Sequence, residues 1–386
     1  MDSPANITTP TGKVLEAQSP MIKKFWERLM PAQNAELPCL HEWQAGKYQP
    51  TSFKDVHAQA HCAAGYLMRR GLRKGDHVGI IAQPGMRYHV LQIALQFLGA
   101  VNVTIPHNFS TEEIDQLAHQ YHFRLLFVDS AAQFLAYGEF KEMKEQLLGV
   151  VIGEDDVDAL DPEKIVTYDR VVTLGKAAWR EEANELKAMK GAMLPQHLCA
   201  ILLEPEGKAT QVKMEQWMAA VDQAEKALLT AQAKNLLSSI APDRLLWRAF
   251  GFAAIFNRVA WWIRPAQDLR GAGYTLIKPE MALLDPTGLR MLYDLLPELI
   301  DVPEKGRKAI TLAMEVVRKR DDAKAAGKKD PIMNRLKYST SNRKLYKRIR
   351  NKLGGKICEL VLDKGMVDAD ARLLFEEASI KITQPL

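Results

Sequence analysis

Between His77 and Val128 the chain alternates three short apolar runs with two amphipathic ones, an order that limits its possible folds more than any other feature. His77–Ala82 (HVGIIA) has the length and continuity of a buried strand and follows the turn residues Lys74-Gly75-Asp76. From Met86 to Leu98 the apolar positions Tyr88, Leu91, Leu95 and Leu98 fall on one helical stripe, and Gly99 ends the run. Val101–Ile105 reads as a second strand stopped by Pro106. Ser110-Thr111-Glu112-Glu113 then supplies a capping box for a helix to about Tyr121. Leu125–Val128 is a third strand. Strand and helix alternating over such short links require right-handed crossovers and a parallel sheet, which makes the fold class α/β.

The 386 residues are 47% hydrophobic and 26% charged, with 23 Gly and 19 Pro, enough core material for roughly two to three packing units. Collagenous, mucin-like and wholly disordered chains are excluded. The opening MDSPANITTPTGKVLEAQSPMIKKF lacks the charged-then-apolar order of a secretory signal. The most apolar window, Leu245–Ile263, is broken by Arg248, Asn257 and Arg258, too early for a span of about 20 apolar residues. Cys39, Cys62, Cys199 and Cys358 are widely spaced and form no CxxC, the usage of reduced thiols rather than of disulfides or a zinc site. No transmembrane segment and a cytoplasmic location are therefore expected.

We expect a flexible leader over 1–20, a first α/β subdomain over 21–195 and a second over 196–386. Gly153–Met193, acidic at its start, reads as a connection with a hairpin or short helix near Ile165–Arg180. The second subdomain would open with the apolar strand Leu198–Leu203 and continue as a helix from Val212 to Leu237. Tyr274–Ile277 and Lys356–Leu362 read as further strands. Ile310–Ala326, Arg343–Leu353 and Ala369–Ala378 read as helices.

Several of these segments, in order and spacing, resemble the adenylate-forming enzymes and particularly the long-chain acyl-CoA synthetases. The opening resemblance is carried by Ser52-Phe53-Lys54-Asp55, Ala63-Ala64-Gly65-Tyr66-Leu67 and Gly71-Leu72-Arg73-Lys74-Gly75-Asp76-His77-Val78, with Leu98-Gly99-Ala100-Val101 and the Pro106 turn after them. Ala254-Ile255-Phe256-Asn257-Arg258 is similar to the family's H-[IV]-F-E-R segment, and Val302-Pro303-Glu304-Lys305 to its V-P-R-x-x-E-K region. Lys347-Arg348-Ile349-Arg350-Asn351-Lys352-Leu353-Gly354-Gly355 is similar to K-I-R-x-x-L-G-G. The resemblance implies two stacked, predominantly parallel sheets with helices, like the N-terminal large domain of those enzymes.

The departures from the family carry as much information. Its phosphate loop, T-S-G-T-T-G-x-P-K-G, would follow Leu203, where this chain reads Glu204-Pro205-Glu206-Gly207-Lys208-Ala209-Thr210-Gln211-Val212-Lys213-Met214. A phosphate cradle needs glycines for close backbone approach, hydroxyls and positive charge. Gly207, Lys208, Thr210 and Lys213 are the candidate nucleotide-binding remnant, while Glu204 and Glu206 place carboxylates where polyphosphate would sit. Two like charges 4 Å apart repel by about 4 kcal/mol at an effective dielectric near 20. The family's His and Glu of H-[IV]-F-E-R are Ala254 and Asn257 here. Phe375–Gln384 resembles the lead-in to its Y-G-x-T-E motif, yet the chain ends at Pro385-Leu386. The family's C-terminal, lysine-bearing domain is accordingly expected to be absent, and no catalytic residue is assigned.

Charge is unevenly placed. The formal net charge is +5, but nine Lys/Arg and no Asp/Glu lie between Arg335 and Lys356, leaving −4 elsewhere. Leu345, Ile349 and Leu353 share a helical stripe, so Lys344, Lys347, Arg348 and Lys352 are candidates for an exposed basic face. Such a face is either simply solvated or contacts anionic lipid or an acidic partner, ahead of nucleic acid. Trp247, Trp261 and Trp262 surround AFGFAAIF and read as core rather than as an acyl pocket or membrane contact. All nine histidines lie at or before His197. His119 and His122, with His89 and His107, have no Cys or Glu at ligand spacing, and no metal is expected. Glu154, Asp155, Asp156 and Asp158 lack the Gly and distal Glu of a calcium loop.

These observations lead to the expectation of a catalytically degenerate acyl-CoA-synthetase-like pseudoenzyme, a binding or interaction protein of fatty-acid or acyl metabolism. Its partner would be a protein or acyl ligand, and no cofactor is expected. The alternative is an acyl-activating, AMP-forming ligase subunit completed in trans, which would use ATP, Mg and CoA.

Overall fold

The computed structural model describes residues 7–8, 14–15, 36–44, 46–137, 148–151, 165–181, 194–204, 207–264, 273–327 and 343–385. The chain divides into two units. The first comprises Met1–Gln44, Tyr48–Asp222 and Ala241–Phe252, and the second Ala45–Lys47, Gln223–Ile240 and Ala253–Leu386.

Strands β1 (Ile7–Thr8) and β2 (Val14–Leu15) pair antiparallel. After β3 (Pro38–Gln44) and β4 (Lys47–Ser52) comes α1 (Phe53–Arg69), whose first turn is capped by the Asp55 N–H donating to Ser52 Oγ at 3.1 Å. The expected alternation follows as β5 (His77–Ile81), α2 (Met86–Leu98), β6 (Val101–Thr104), α3 (Thr111–Tyr121) and β7 (Leu125–Val128). Gly99 ends α2 at φ 69°, and the Ser110/Glu113 capping box closes with bonds of 3.2 and 2.7 Å. α4 (Ala131–Tyr137), β8 (Leu148–Val151), β9 (Ile165–Thr167), α5 (Tyr168–Glu181), β10 (Leu198–Leu203) and β11 (Ala209–Lys213) complete the first sheet.

Its order is β11-β10-β6-β5-β7-β8-β9, parallel throughout except for β11, which runs antiparallel to β10. Alternate residues of β6 face opposite sides. Val101 and Val103 join Ile114 and Ala118 of α3 and Phe134 of α4 in one apolar cluster, while Asn102 and Thr104 are buried on the other side.

The remaining elements are α6 (Met214–Thr230), β12 (Asn235–Ser238), α7 (Leu245–Phe256), β13 (Ala260–Ile263), α8 (Gly273–Ile277), β14 (Met281–Leu284), α9 (Pro286–Ile300), α10 (Pro303–Ala325), α11 (Arg343–Lys352), β15 (Glu359–Leu362), α12 (Ala369–Glu377) and β16 (Lys381–Thr383). In the second unit β16, β15, β14, β12 and β13 lie side by side in that order, all parallel.

Four expectations differ from this structure. Leu198–Leu203 does not open the second unit, because its β10 hydrogen-bonds to β6 and the first unit extends to Asp222. The helix expected from Val212 to Leu237 is α6 alone: Val212 pairs with Ala200 in the sheet, Gln232 turns the chain at φ 49°, and Leu236–Leu237 lie in β12. Tyr274–Ile277 is helical. The β-rich composition suggested a strand, but Tyr274 and Ile277 are both buried at helical spacing and the Lys278 N–H donates to the Tyr274 carbonyl at 2.8 Å. Ile165–Arg180 is a strand followed by a helix of 14 residues. Most of the leader and Glu154, Asp155, Asp156 and Asp158 lie outside the described residues.

Helices α1 and α5 meet backbone to backbone. A Cβ on Gly175 would lie 1.9 Å from the Cys62 carbonyl oxygen, and one on Gly65 would lie 2.9 Å from the Trp179 nitrogen. Side chains at either position would force the helices apart. Gly175→Ala is expected to cost about 1–3 kcal/mol and lower the denaturant midpoint at unchanged m-value. Exposed Gly46, with open space around it but φ 80°, should lose less when changed to Asn, which tolerates that conformation.

Candidate functional site

All the parallel strands of the first sheet deliver their loops to one edge. β5 is connected towards β6 and β7 towards β8, so the chain leaves this pair in opposite directions, where ligand crevices of α/β sheets form. Asp129, directly after β7, accepts the Gln83 N–H from the loop after β5 through both oxygens, at 2.9 and 3.2 Å. His107, after β6, places Nε2 3.5 Å from Asp129 Oδ2. Glu42 of β3 accepts from the Met86 N–H at 3.4 Å and the Gln44 amide at 2.8 Å, close to the start of α2 where a carboxylate is favoured. That approach depends on Gly85, since a Cβ there would lie 2.3 Å from Glu42 Oε1. Arg87 flanks the group, 3.7 Å from Asp169 and over the ring of Tyr168.

Burial raises the proton affinity of both carboxyl groups. For Glu42 it outweighs the Met86 N–H, the Gln44 amide and Arg87, and the charge of Asp129 acts in the same direction as burial. For Asp129 it outweighs the Gln83 N–H and His107. Acids raised in this way beside an imidazole hold a proton more tightly than exposed carboxyl groups do, the property a proton-transfer group needs. In the sequence Glu42, His107 and Asp129 belong to no motif that marks them for these roles. The available signal was position: Gln83-Pro84-Gly85 and Asp129 immediately follow strands whose connections diverge.

The phosphate-loop candidates lie on the β10–β11 hairpin. Leu203 pairs with Ala209, the Glu204 N–H donates to the Lys208 carbonyl at 2.9 Å, and the Gly207 N–H donates to the Glu204 carbonyl at 2.8 Å. Gly207 turns at φ 83°. Gly207 and Lys208 are therefore together at an exposed tip. Thr210, half-buried, pairs with Leu202 on the strand. Lys213 is at the opposite end, roughly 17 Å from Lys208 at 3.4 Å per residue, where its N–H caps to Gln216 Oε1. Glu206 lies outside the described residues.

On α11, Lys344, Lys347, Arg348 and Lys352 are exposed while Leu345 and Ile349, with Leu353 beyond the helix, are buried. Arg348 is tied to the end of α9, with Nη1 3.4 Å from the Ile300 carbonyl and 3.3 Å from Asp301 Oδ2. Arg335 and Lys337 lie outside the described residues. The Gly-Gly after this helix has a structural reason: Gly354 has φ 91°, and a Cβ there would lie 2.4 Å from the Tyr274 carbonyl oxygen. In the segment similar to H-[IV]-F-E-R, Asn257 donates to Glu225 Oε1 at 3.2 Å and to the Ala253 carbonyl at 2.8 Å. Trp247 and Trp261 are fully buried, and Trp262 donates to Asn235 Oδ1 at 3.0 Å. Among the described residues no group of three His, Cys, Asp or Glu could hold a metal ion, and no helix is long and apolar enough to cross a membrane.

The Glu42 carboxyl gives a pH test with a definite sign. A carboxyl held above its ordinary value of 4.5 favours the folded state when protonated, so its contribution is lost as pH rises from 4.5 through the raised value. Glu42→Gln, a neutral isostere, is expected to match wild-type stability at pH 4 and exceed it at pH 7 in urea unfolding. A steeper wild-type gain towards pH 7 would contradict the assignment.

Comparison with known proteins gives this architecture its context. The family profile described as AMP-binding enzyme matches residues 28–206. No curated protein matches the sequence. The A-PCP didomain of carboxylic acid reductase from Segniliparus rugosus, in complex with AMP, is similar at TM-score 0.63 and 12% identity, over 95% of this chain and 54% of that one. The anthranilate CoA ligase AuaEII in complex with anthranoyl-AMP is similar at 0.62 and 12%, over 95% and 58%. The luciferase-like enzyme from the nonluminescent mealworm Zophobas morio is similar at 0.60 and 12%, over 94% and 70%. The chain thus spans little more than half the length of the first two. The resemblance read from Ser52 onward is borne out as a match of residues 28–206 to the AMP-binding enzyme family and as a likeness of fold to the large domain of adenylate-forming enzymes.

Proposed function

We propose that this chain is a catalytically degenerate adenylate-forming homologue that acts as a binding or interaction protein of acyl metabolism. The observation that carries the reading is the β10–β11 hairpin, where the Glu204 and Gly207 N–H groups are consumed inside the turn. A polyphosphate cradle needs such groups turned outward, and neither Thr210 nor Lys213 reaches the tip to compensate. The proposed role is cytoplasmic and needs no bound cofactor. The match to AMP-binding enzymes favours one other reading, an acyl-activating subunit that a partner completes for use of ATP, Mg and CoA.

Purified chain mixed with ATP, Mg and a panel of carboxylic acids, long-chain fatty acids included, is expected to release no pyrophosphate above a no-protein control. Acid-dependent release by the chain alone would overturn the reading. Release only after adding a cell extract, retained through purification of the complex, would establish the completed-subunit reading instead.

We further propose that α11 contacts anionic lipid through Lys344, Lys347 and Lys352, whose ammonium groups form no ion pair among the described residues, with Arg348 anchoring the helix to Asp301. Each lysine near an anionic surface contributes about 1 kcal/mol, attenuated by salt. Changing the three lysines to Glu is expected to abolish co-sedimentation with phosphatidylserine vesicles at low ionic strength while leaving the thermal midpoint nearly unchanged. Wild-type protein that ignores such vesicles would leave the face merely solvated.

A further inference from the structure

The first unit buries a positive charge on the polar side of β6. Arg248, on α7, is 1% exposed, and among the described residues no carboxylate forms an ion pair with it. Its Nε donates to the Pro242 carbonyl at 3.2 Å. Its Nη2 donates to Tyr88 Oη at 3.1 Å and to Thr104 Oγ1. Thr104 Oγ1 donates in turn to Asn102 Oδ1 at 2.9 Å and lies 3.0 Å from Tyr88 Oη. Two donor groups at the ends of this chain, Arg248 Nη1 and Asn102 Nδ2, have no hydrogen-bond partner in the described structure. Both are one covalent branch away from atoms bonded to the same Thr104 hydroxyl, so the donors lie close together on one side of β6.

Asp243, buried beside Pro242, pairs with Arg244 at 3.6 Å rather than with Arg248, and the titratable neighbours His89 and Cys199 do not supply the missing negative charge. His89 is held neutral, its value pushed down to about 3 by burial and then by Arg248 itself. Burial pushes the Cys199 thiol up to about 12 against the pull of Arg248. Neutral acceptors on α2 such as Gln96 Oε1, and water, can take a hydrogen bond but cannot offset a buried guanidinium.

We propose that this core binds one small monovalent anion, a halide or a short carboxylate, between Arg248 Nη1 and Asn102 Nδ2. One cation calls for one negative charge, which argues against phosphate or sulfate, since a dianion would replace an uncompensated positive charge with a negative one. The site is separate from the proposed function and does not depend on it.

The test is thermal unfolding of the full chain at constant ionic strength in sodium chloride, bromide or acetate, against sodium gluconate, whose anion is too large for the site. At saturation the midpoint is expected to stand about 3–6 °C above that in gluconate. A response to halides but not acetate identifies the source as inorganic, and the reverse identifies a carboxylate. Asn102→Asp supplies the negative charge covalently, so this variant should lose the response and match the anion-bound midpoint in gluconate. Arg248→Met should lose the response as well. Equilibrium dialysis of the wild type should retain about one bromide, or one acetate, per chain, and that measurement with Asn102→Asp decides the matter if Arg248→Met does not fold. Equal wild-type midpoints in all four salts, or a response that persists in Asn102→Asp, would overturn the proposal.

Discussion

A parallel strand hydrogen-bonded on both sides has neither a free edge nor a solvent face, so β5, β6 and β7 require cover on both sides of the sheet. The short alternating elements meet that requirement, since successive crossovers to opposite sides of β5 place α2 and α3 on opposite faces. Two consequences follow. Every loop after a parallel strand arrives at the same edge, which brings Gln83, His107 and Asp129 together although they are far apart in sequence. Alternate side chains of β6 must also be buried on both faces, so Asn102 and Thr104 cannot turn to water and find partners within the core.

Local signals were legible and long-range pairings were not. Ser110 and Glu113 announce their capping box because the whole device fits in four residues, and Gly99 ends α2 because only local backbone geometry decides it. The buried stripe of α11 was readable because Leu345 and Ile349 repeat at one helical period. The sequence alone places β10 with the elements that follow it because an apolar strand does not encode its neighbour, whereas its pairing with β6 spans about a hundred residues. Tyr274–Ile277 misled for the opposite reason: a single helical turn is too short for periodicity to outweigh β-rich composition.

The same distinction separates the candidate sites. Glu42 and Asp129 are ordinary acids in sequence, and their raised proton affinity comes from burial that only the assembled edge provides. Arg248 looked like a simple interruption of an apolar window. Its significance lies in what surrounds it, a Tyr, a Thr and an Asn drawn from α2 and β6, none of which carries negative charge.

At the β10–β11 hairpin the sequence and the structure bear on one question from different sides. The sequence carries carboxylates where its resemblance to adenylate-forming enzymes implies glycine and hydroxyl, an electrostatic objection to polyphosphate that salt or a divalent cation could soften. The backbone adds an objection that neither can remove. With Leu203 paired to Ala209, the Glu204 and Gly207 N–H groups point into a turn that their own carbonyl partners fill. An anion could recruit them only by breaking two hydrogen bonds and opening the ladder next to them. Nucleotide binding at this loop and β11 pairing in this register therefore compete for the same donors, and that competition favours the degenerate reading more strongly than the loop's charge does.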